Sequence, residues 1–334
     1  MRMNSRVLIT GGTGFVGDYL VKILISKGFS LRLLVRDEKK AIEKFGNSCE
    51  IIVGDITDAE TLRGVARDVS YVIHLAAKGD VSSVSKSSYE EFVGINDMGT
   101  ANLIAECKKN NDLIKFIHFS STAAMGPAKK PIMDEKTLPN PVTPYQRSKL
   151  LSERVVLSAY EENGFPGVII RPCMIYGVGG YGDFYKFYNL MIKGRFPKVG
   201  RGKNLTPIVH VQDVALSAYL AMVNGKPGET YIIASGESYP LDDIRNLVMR
   251  YTQSNAKYPY VPSVIALVGA KCVEMAYKMM KKNPIVSYMN IKSTITDRTF
   301  DISKARKELM YHPGVKLEEG IKSTVEWFIN QSKL

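Results

Sequence analysis

The chain has 334 residues, 45% hydrophobic and 23% charged, with a formal net charge of +12 and a pI near 9.3, which suits one large or two modest globular domains. Four widely separated cysteines (Cys49, Cys107, Cys173, Cys272) fit no metal-ligand spacing and read as buried, reduced thiols of a cytoplasmic protein. The apolar run before Gly11 is too short for a secretory signal, and the longest apolar stretch, from Val261, is broken by Lys271 and Glu274, which excludes a bilayer span.

The basic residues are spread along the chain in short pairs such as Lys39-Lys40 and Lys129-Lys130, and no nucleic-acid module accompanies them. The excess positive charge therefore reads as solvated surface.

"RVLIT" (6–10) predicts a first strand, and Gly11-x-x-Gly14-x-x-Gly17 follows it at the start of an apolar helix over 15–27. Glycine permits the tight turn, the approach of backbone to a pyrophosphate and close helix–strand packing, while the helix N-terminus favours an anion. Gly11, Gly14 and Gly17, with the intervening Phe15 and Val16, are thus the candidate phosphate site of a dinucleotide cofactor. "SLRLLV" (30–35) predicts the second strand. At its end, about 20 residues past the glycines, the cofactor's 2′ position is read. Arg36 there offers forked donors to a phosphate, which favours NADP over NAD. Asp37 would serve NAD if the register slips by one, and a plain Arg36–Asp37 surface pair is the non-functional alternative.

"EIIV" (50–53), "YVIHLAA" (71–77), "IKFIHFSS" (114–121) and "GVIIRP" (167–172) read as further strands, with helices near 59–67 and 88–109. Such alternation predicts an α/β chain with a parallel sheet covered on both faces. In "TPYQRSK" (143–149) a proline opens a helix that carries Tyr145 four residues before Lys149, side by side on one face. A nearby ammonium favours the phenolate, so the pair suits proton transfer. The same spacing recurs at Tyr277/Lys281 and Tyr288/Lys292, and spacing alone does not choose among the three.

After Gly177 the alternation loosens. "YGVGGYG" reads as a mobile substrate-side loop without a phosphate role; a helix near 183–193, a strand and helix over 208–223, a strand within 228–235 and a mainly helical C-terminal third follow. Residues 1–176, with a returning segment at about 207–235, form the expected Rossmann domain, and 177–206 with 236–334 the expected substrate-binding cap. His74 and His118 fall in core strands and read as buried imidazoles. No pair of histidines has metal-ligand spacing, so no metal is expected.

Taken together, "TGGTGFVG", "GDITD" (54–58), "HLAA" (74–77), "INDMGTANL" (95–103), "FSSTAAMG" (119–126), "YQRSK" (145–149), "RPCMIYG" (171–177), "VHVQDVA" (209–215) and "FDISKARKEL" (300–309) resemble, in order and spacing, the extended short-chain dehydrogenase/reductase family. The resemblance covers nearly the whole chain. It implies a doubly wound Rossmann sheet with a smaller helical lobe, a homodimer and hydride transfer with NAD(P). It selects Tyr145 as acid/base, Lys149 as the cation that lowers its pKa and holds the nicotinamide ribose, and Thr122 as the hydroxyl that orients the reacting oxygen, with Ser120 and Ser121 as neighbouring alternatives. It implies Asp55 and Ile56 at the adenine, Leu75, Ala76 and Ala77 along the cofactor with Ser120 and Pro172 also lining it, and Asn96 on a helix behind them.

Two branches compete. A reductase acting on a small molecule, similar to the dihydroflavonol-reductase and 3β-hydroxysteroid-dehydrogenase branch, is favoured by Arg36 and by the absence of two arginines that grip the diphosphate in nucleotide-sugar enzymes. Thr206 and Pro207 stand in place of the first and its neighbour, and Ile291 and Lys292 in place of the second. A nucleotide-sugar epimerase or dehydratase is the alternative. A non-catalytic, redox-sensing NADP-binding module is disfavoured by the presence of both Tyr145 and Lys149. The segment from Val261 to Lys282 reads as a core-packing helix, with an apolar substrate or an anionic membrane as the alternative for its amphipathic face.

Overall fold

Val7 and Ile9 of the first strand belong to the core on one side of a sheet and Leu8 to the core on the other, all three without solvent exposure. Alternate residues of a strand face opposite sides, so three apolar residues in a row demand cover on both faces. A computed structural model describes residues 5–79, 89–280 and 288–331. Lys281, Lys282 and the "NPIVS" that follows them lie outside the described residues.

The main sheet has seven strands: β1 (Arg6–Thr10), β2 (Ser30–Val35), β3 (Glu50–Val53), β4 (Tyr71–His74), β5 (Lys115–Phe119), β6 (Gly167–Pro172) and β7 (Thr230–Ile233). Their order is β7-β6-β5-β4-β1-β2-β3, with every neighbouring pair parallel. The order reverses between β1 and β4. In open parallel sheets that switch point, at the carboxyl ends of the strands, leaves a crevice for a ligand.

The helices are α1 (Phe15–Ser26), α2 (Glu38–Phe45), α3 (Tyr89–Val93), α4 (Gly99–Cys107), α5 (Pro144–Asn163), α6 (Asp183–Ile192), α7 (Val211–Asn224), α8 (Leu241–Thr252), α9 (Ser263–Met279), α10 (Tyr288–Ile295) and α11 (Leu317–Gln331). Leu20 and Leu24 of α1 and Val214 and Ala218 of α7 pack on the Val7/Ile9 face, while Leu103 of α4 and Val156 of α5 pack on the Leu8 face. A separate core joins Tyr188 of α6, Val248 of α8 and Phe328 of α11.

Several expectations need correcting. The strand read over 71–77 ends at His74, because beyond it the Leu75 amide donates to the Thr10 carbonyl and the Ala76 amide to Thr10 Oγ1. The strand read over 114–121 spans Lys115–Phe119, since Ser121 begins a 3-10 turn by accepting the Ala123 amide. The helix expected over 59–67 is only a 3-10 turn at Ala59–Leu62, cut short by Gly64 at φ +75°. Short α2 was not anticipated.

Helix α9 is also not the core-packing helix expected. Among its described side chains only Ala270 is buried. No helix among the described residues is long and apolar enough to cross a membrane.

Candidate active site

Two positions of the turn after β1 accept only glycine. Gly11 has φ +72°, and a Cβ on it would lie 2.7 Å from the Ala76 amide nitrogen; a Cβ on Gly17 would strike the Gly11 carbonyl oxygen. Gly14 is the N-cap of α1 with no side chain capping the helix, and its own amide donates to the Gly11 carbonyl at 3.0 Å. Helix amides uncapped by a side chain, beside a glycine turn at the sheet's switch point, are suited to a pyrophosphate. Phe15 lies against Gly180, and Tyr19 Oη donates to the Val178 carbonyl at 3.0 Å. The "YGVGGYG" segment therefore packs directly on the start of α1. Val16 packs against the core.

Arg36 follows the last residue of β2 and is exposed. Asp37 is the N-cap of α2 and accepts the Lys40 amide at 3.1 Å. Arg36 acts on Asp55 just beyond β3: burial raises the Asp55 pKa, but two hydrogen bonds from Thr57 and the Arg36 charge outweigh it and hold the carboxyl below its usual range. Ile56 is buried beneath Gly99, and its carbonyl accepts from Asn102 Nδ2 at 3.0 Å. The Ile56 side chain is thus part of the packing.

Thr143, Pro144 and Gln146 fix where α5 begins. Thr143 Oγ1 accepts the Gln146 amide, Gln146 Oε1 accepts the Thr143 amide, and Pro144 occupies the first turn. This capping box places Tyr145 in the first turn and Lys149 one turn on. The Tyr145 ring is half-buried and meets Phe92 edge-on, centroids 5.9 Å apart. Lys149 is 3% exposed, and its Nζ donates to the Phe119 carbonyl at 2.6 Å, at the carboxyl end of β5. Burial pushes the ammonium pKa down to about 8 against the opposing charge of Glu153. Ser120 and Thr122, both buried, follow Phe119; Ser120 Oγ has no hydrogen-bond partner among the described residues, whereas Ser121 Oγ is used by the turn.

Behind these groups runs a polar network that sequence reasoning resolved only in part. Asn96, in a π-turn at Gly94–Met98, accepts the Lys78 amide at 2.7 Å and donates to the Lys78 carbonyl and to Ser148 Oγ, which links the segment after β4 to α5. Thr10, His74 and His118 stand in register on β1, β4 and β5. Thr100 Oγ1 donates to the Asn96 carbonyl, so it accepts from His74 Nε2–H, and His74 Nδ1 accepts from Thr10 Oγ1. This assignment leaves His74 neutral, in agreement with a pKa pushed down to about 3 by burial and by Lys149. Ser152 Oγ donates to the Lys149 carbonyl and accepts from His118 Nε2. Glu153, one turn beyond Lys149, holds Arg171 of β6 through both oxygens.

The carboxyl ends of the strands therefore carry Gly11–Gly17, Leu75–Ala77, Ser120, Thr122 and Pro172, with Tyr145 and Lys149 on α5 beside β5. Arg36 and Asp55 lie at the ends of β2 and β3. The decoy Tyr288 is on α10, where Lys271 Nζ lies 5.3 Å from its ring centroid. His210 caps α7 and His312 is exposed. The supporting Glu153–Arg171 pair went unread because its only sequence signal is an acid four residues after Lys149.

A model of the NAD dependent epimerase/dehydratase family matches residues 7–234. The chain is 26% identical over 321 residues to the 4-hydroxy-2-methyl-3-oxo-4-farnesyl-3,4-dihydroquinoline-1-oxide ketoreductase of Stigmatella aurantiaca, covering 95% of this chain and 94% of that one. It is 26% identical over 339 residues to the N-acetyl-alpha-D-glucosaminyl-diphospho-ditrans,octacis-undecaprenol 4-epimerase of Escherichia coli O157:H7, covering 99% and 98%. Among solved structures, gox2253 superposes with a TM-score of 0.82 at 28% identity, covering 99% of this chain and all of that one.

Proposed function

The chain belongs to the NAD dependent epimerase/dehydratase family, and from that premise we propose that it is an NADP-dependent reductase acting at a ketone, or in reverse a secondary alcohol, of a small organic substrate with an apolar portion. The observation that carries this reading is the placement of Tyr145 and Lys149 on successive turns of α5, with the Lys149 ammonium donating to the Phe119 carbonyl at the end of β5, one residue before Ser120 in the chain.

Residues 1–176 with 207–235 form the cofactor domain in this reading, and 177–206 with 236–334 the cap. The Gly11, Gly14 and Gly17 turn holds a pyrophosphate, Arg36 a 2′-phosphate, and Asp55 the adenine edge. Capping by Asp37 supports Arg36 as the residue that meets the 2′ position. When bound, the dinucleotide supplies the hydride chemistry. Lys149 holds the ribose and stabilises the Tyr145 phenolate. Tyr145 donates its proton to the carbonyl oxygen that is being reduced, and the Thr122 hydroxyl hydrogen-bonds the same oxygen as negative charge develops there. The substrate class is supported by the farnesyl-bearing compound named for the ketoreductase relative and by Thr206 standing in place of the diphosphate-gripping arginine that the resemblance implies for nucleotide-sugar enzymes.

A second reading, a nucleotide-sugar epimerase or dehydratase that recycles its cofactor, is favoured by Arg298. Its Nε is buried without a partner among the described residues, and its charge acts on Cys173 beside Pro172. A guanidinium suits a diphosphate. Native mass spectrometry of the purified protein, paired with NADPH-consumption assays on long-chain ketones, separates the two. Nucleotide-free protein that consumes added NADPH is the expected result. Tightly held NAD, with turnover of UDP-sugars and no added cofactor, overturns the reductase.

A further inference from the structure

Helix α9 turns an apolar stripe to solvent. Val264, Val268, Met275 and Met279 are 71%, 57%, 67% and 84% exposed, and their spacing of i, i+4, i+11 and i+15 puts them on one face of a helix. Exposed Ile265 and Tyr260 widen the stripe, and exposed Lys271 lies within it. Monomeric proteins rarely leave so continuous an apolar surface without a partner.

The chain's excess positive charge is concentrated in two segments of its sequence, one of which contains this helix. Basic residues are indeed spread through the sequence, but acids are missing from two segments. Residues 190–204 and 253–296 hold eleven of the 45 lysines and arginines and one of the 33 acids, Glu274, which accounts for +10 of the net +12. The two segments meet in space: Lys198–Val199 pairs with Tyr260–Val261 at the start of α9, and Ser263 shares a cavity of about 380 Å³ with Arg201, Lys203, Ile295 and one acid, Asp297. Lys193, Arg195, Arg201, Lys203, Lys257, Lys271 and Lys292 are all exposed.

We infer that this face docks the protein on an anionic lipid bilayer, with the α9 stripe sunk among the acyl chains at the interface and the surrounding lysines and arginines on the headgroups. Apolar side chains framed by bases are the chemistry of an interfacial helix. A second copy is disfavoured, because two surfaces this basic repel. Nucleic acid accounts for the charge but leaves Val264, Val268, Met275 and Met279 without a role. Docking goes beyond the proposed reaction and holds for either reading of it. Only the corollary, that an apolar substrate enters from the bilayer, rests on the reductase.

Flotation of the full-length protein with vesicles tests this without turnover. Vesicles of roughly one-third phosphatidylglycerol in phosphatidylcholine are expected to carry most of the protein, and pure phosphatidylcholine little. Val268→Asp with Met275→Asp is expected to cut the bound fraction by about tenfold, while the thermal unfolding midpoint and NADPH binding are kept. Lys271→Glu with Arg201→Glu is expected to weaken binding and flatten its salt dependence. Equal weak binding to both vesicle types overturns the inference. So does a dimer in sedimentation analysis that the double aspartate variant dissociates, or duplex DNA binding that the same variant leaves intact while vesicle binding is absent. Failure here leaves NADPH consumption untouched, so the two proposals fail separately.

Discussion

Glu153 grips Arg171 through both carboxylate oxygens, Oε1 at 2.8 Å from Nε and Oε2 at 2.6 Å from Nη2, with both side chains buried. The pair ties α5, which carries Tyr145 and Lys149, to the strand that ends at Pro172. Glu153→Gln removes the carboxylate that hydrogen-bonds the buried Arg171 and leaves it with only the charge of Glu135 acting on it. The expected loss is about 3–5 kcal/mol of stability in urea denaturation, because breaking one side of a buried pair strands the other. Replacing both with methionine is expected to recover part of it, since neither charge of the pair then remains to be desolvated, although buried Lys149 also loses the Glu153 charge that opposes its own desolvation.

Lys149 makes stability depend on alkaline pH. The folded chain loses its proton near pH 8 through burial, whereas the unfolded lysine holds it to about 10.5. Between those values the unfolded state binds more protons, so stability rises with pH across that window. The whole rise is about 3 kcal/mol, and Lys149→Met is expected to remove it. Urea midpoints measured from neutral to alkaline pH check this. Under the proposed chemistry, kcat/KM is expected to fall above about pH 8, where a deprotonated Lys149 would no longer support a Tyr145 phenolate.

The buried histidines act at the acid end. His74 stays neutral down to about pH 3, and burial, Lys149 and His74 keep His118 well below its usual value. As pH falls through 6.5 the unfolded state takes up protons that the folded state refuses, so stability falls with pH between 6.5 and about 3 and is fully present above 6.5. Equilibrium denaturation at a series of acidic pH values reads this slope, and His74→Gln is expected to make it shallower.

In the proposed reading Arg36 bears on cofactor choice, while Asp37 caps α2. Arg36→Ala is expected to weaken NADPH binding by about tenfold or more, with NADH binding little changed, as calorimetry would record. Asp37→Ala is expected to cost about 1 kcal/mol through loss of the α2 N-cap, without a change in cofactor preference.

The sheet was legible where the pattern and the hydrogen bonds agree. β1, β2, β3 and β6 begin and end where their apolar runs do. β4 is shorter than its run because the amides of Leu75 and Ala76 are satisfied by Thr10, a contact 65 residues or more away in sequence. The glycine turn after β1 and the helix that carries Tyr145 and Lys149 were readable as local structure because their signals are local. The His74–Thr100, Asn96–Ser148 and Glu153–Arg171 contacts were not, since each depends on which strands and helices become neighbours. The exposed face of α9 ranked second to core packing in the sequence for a related reason: an apolar stripe has the same period whether core or solvent faces it.

The most direct test of the proposed chemistry is a single-turnover measurement of NADPH oxidation by Tyr145→Phe on a ketone that the wild-type protein reduces. A hydride step about 10²- to 10⁴-fold slower, at unchanged NADPH affinity, is the expected result. A Tyr145→Phe protein that oxidises NADPH at the wild-type rate would contradict the assignment of proton transfer to this phenol.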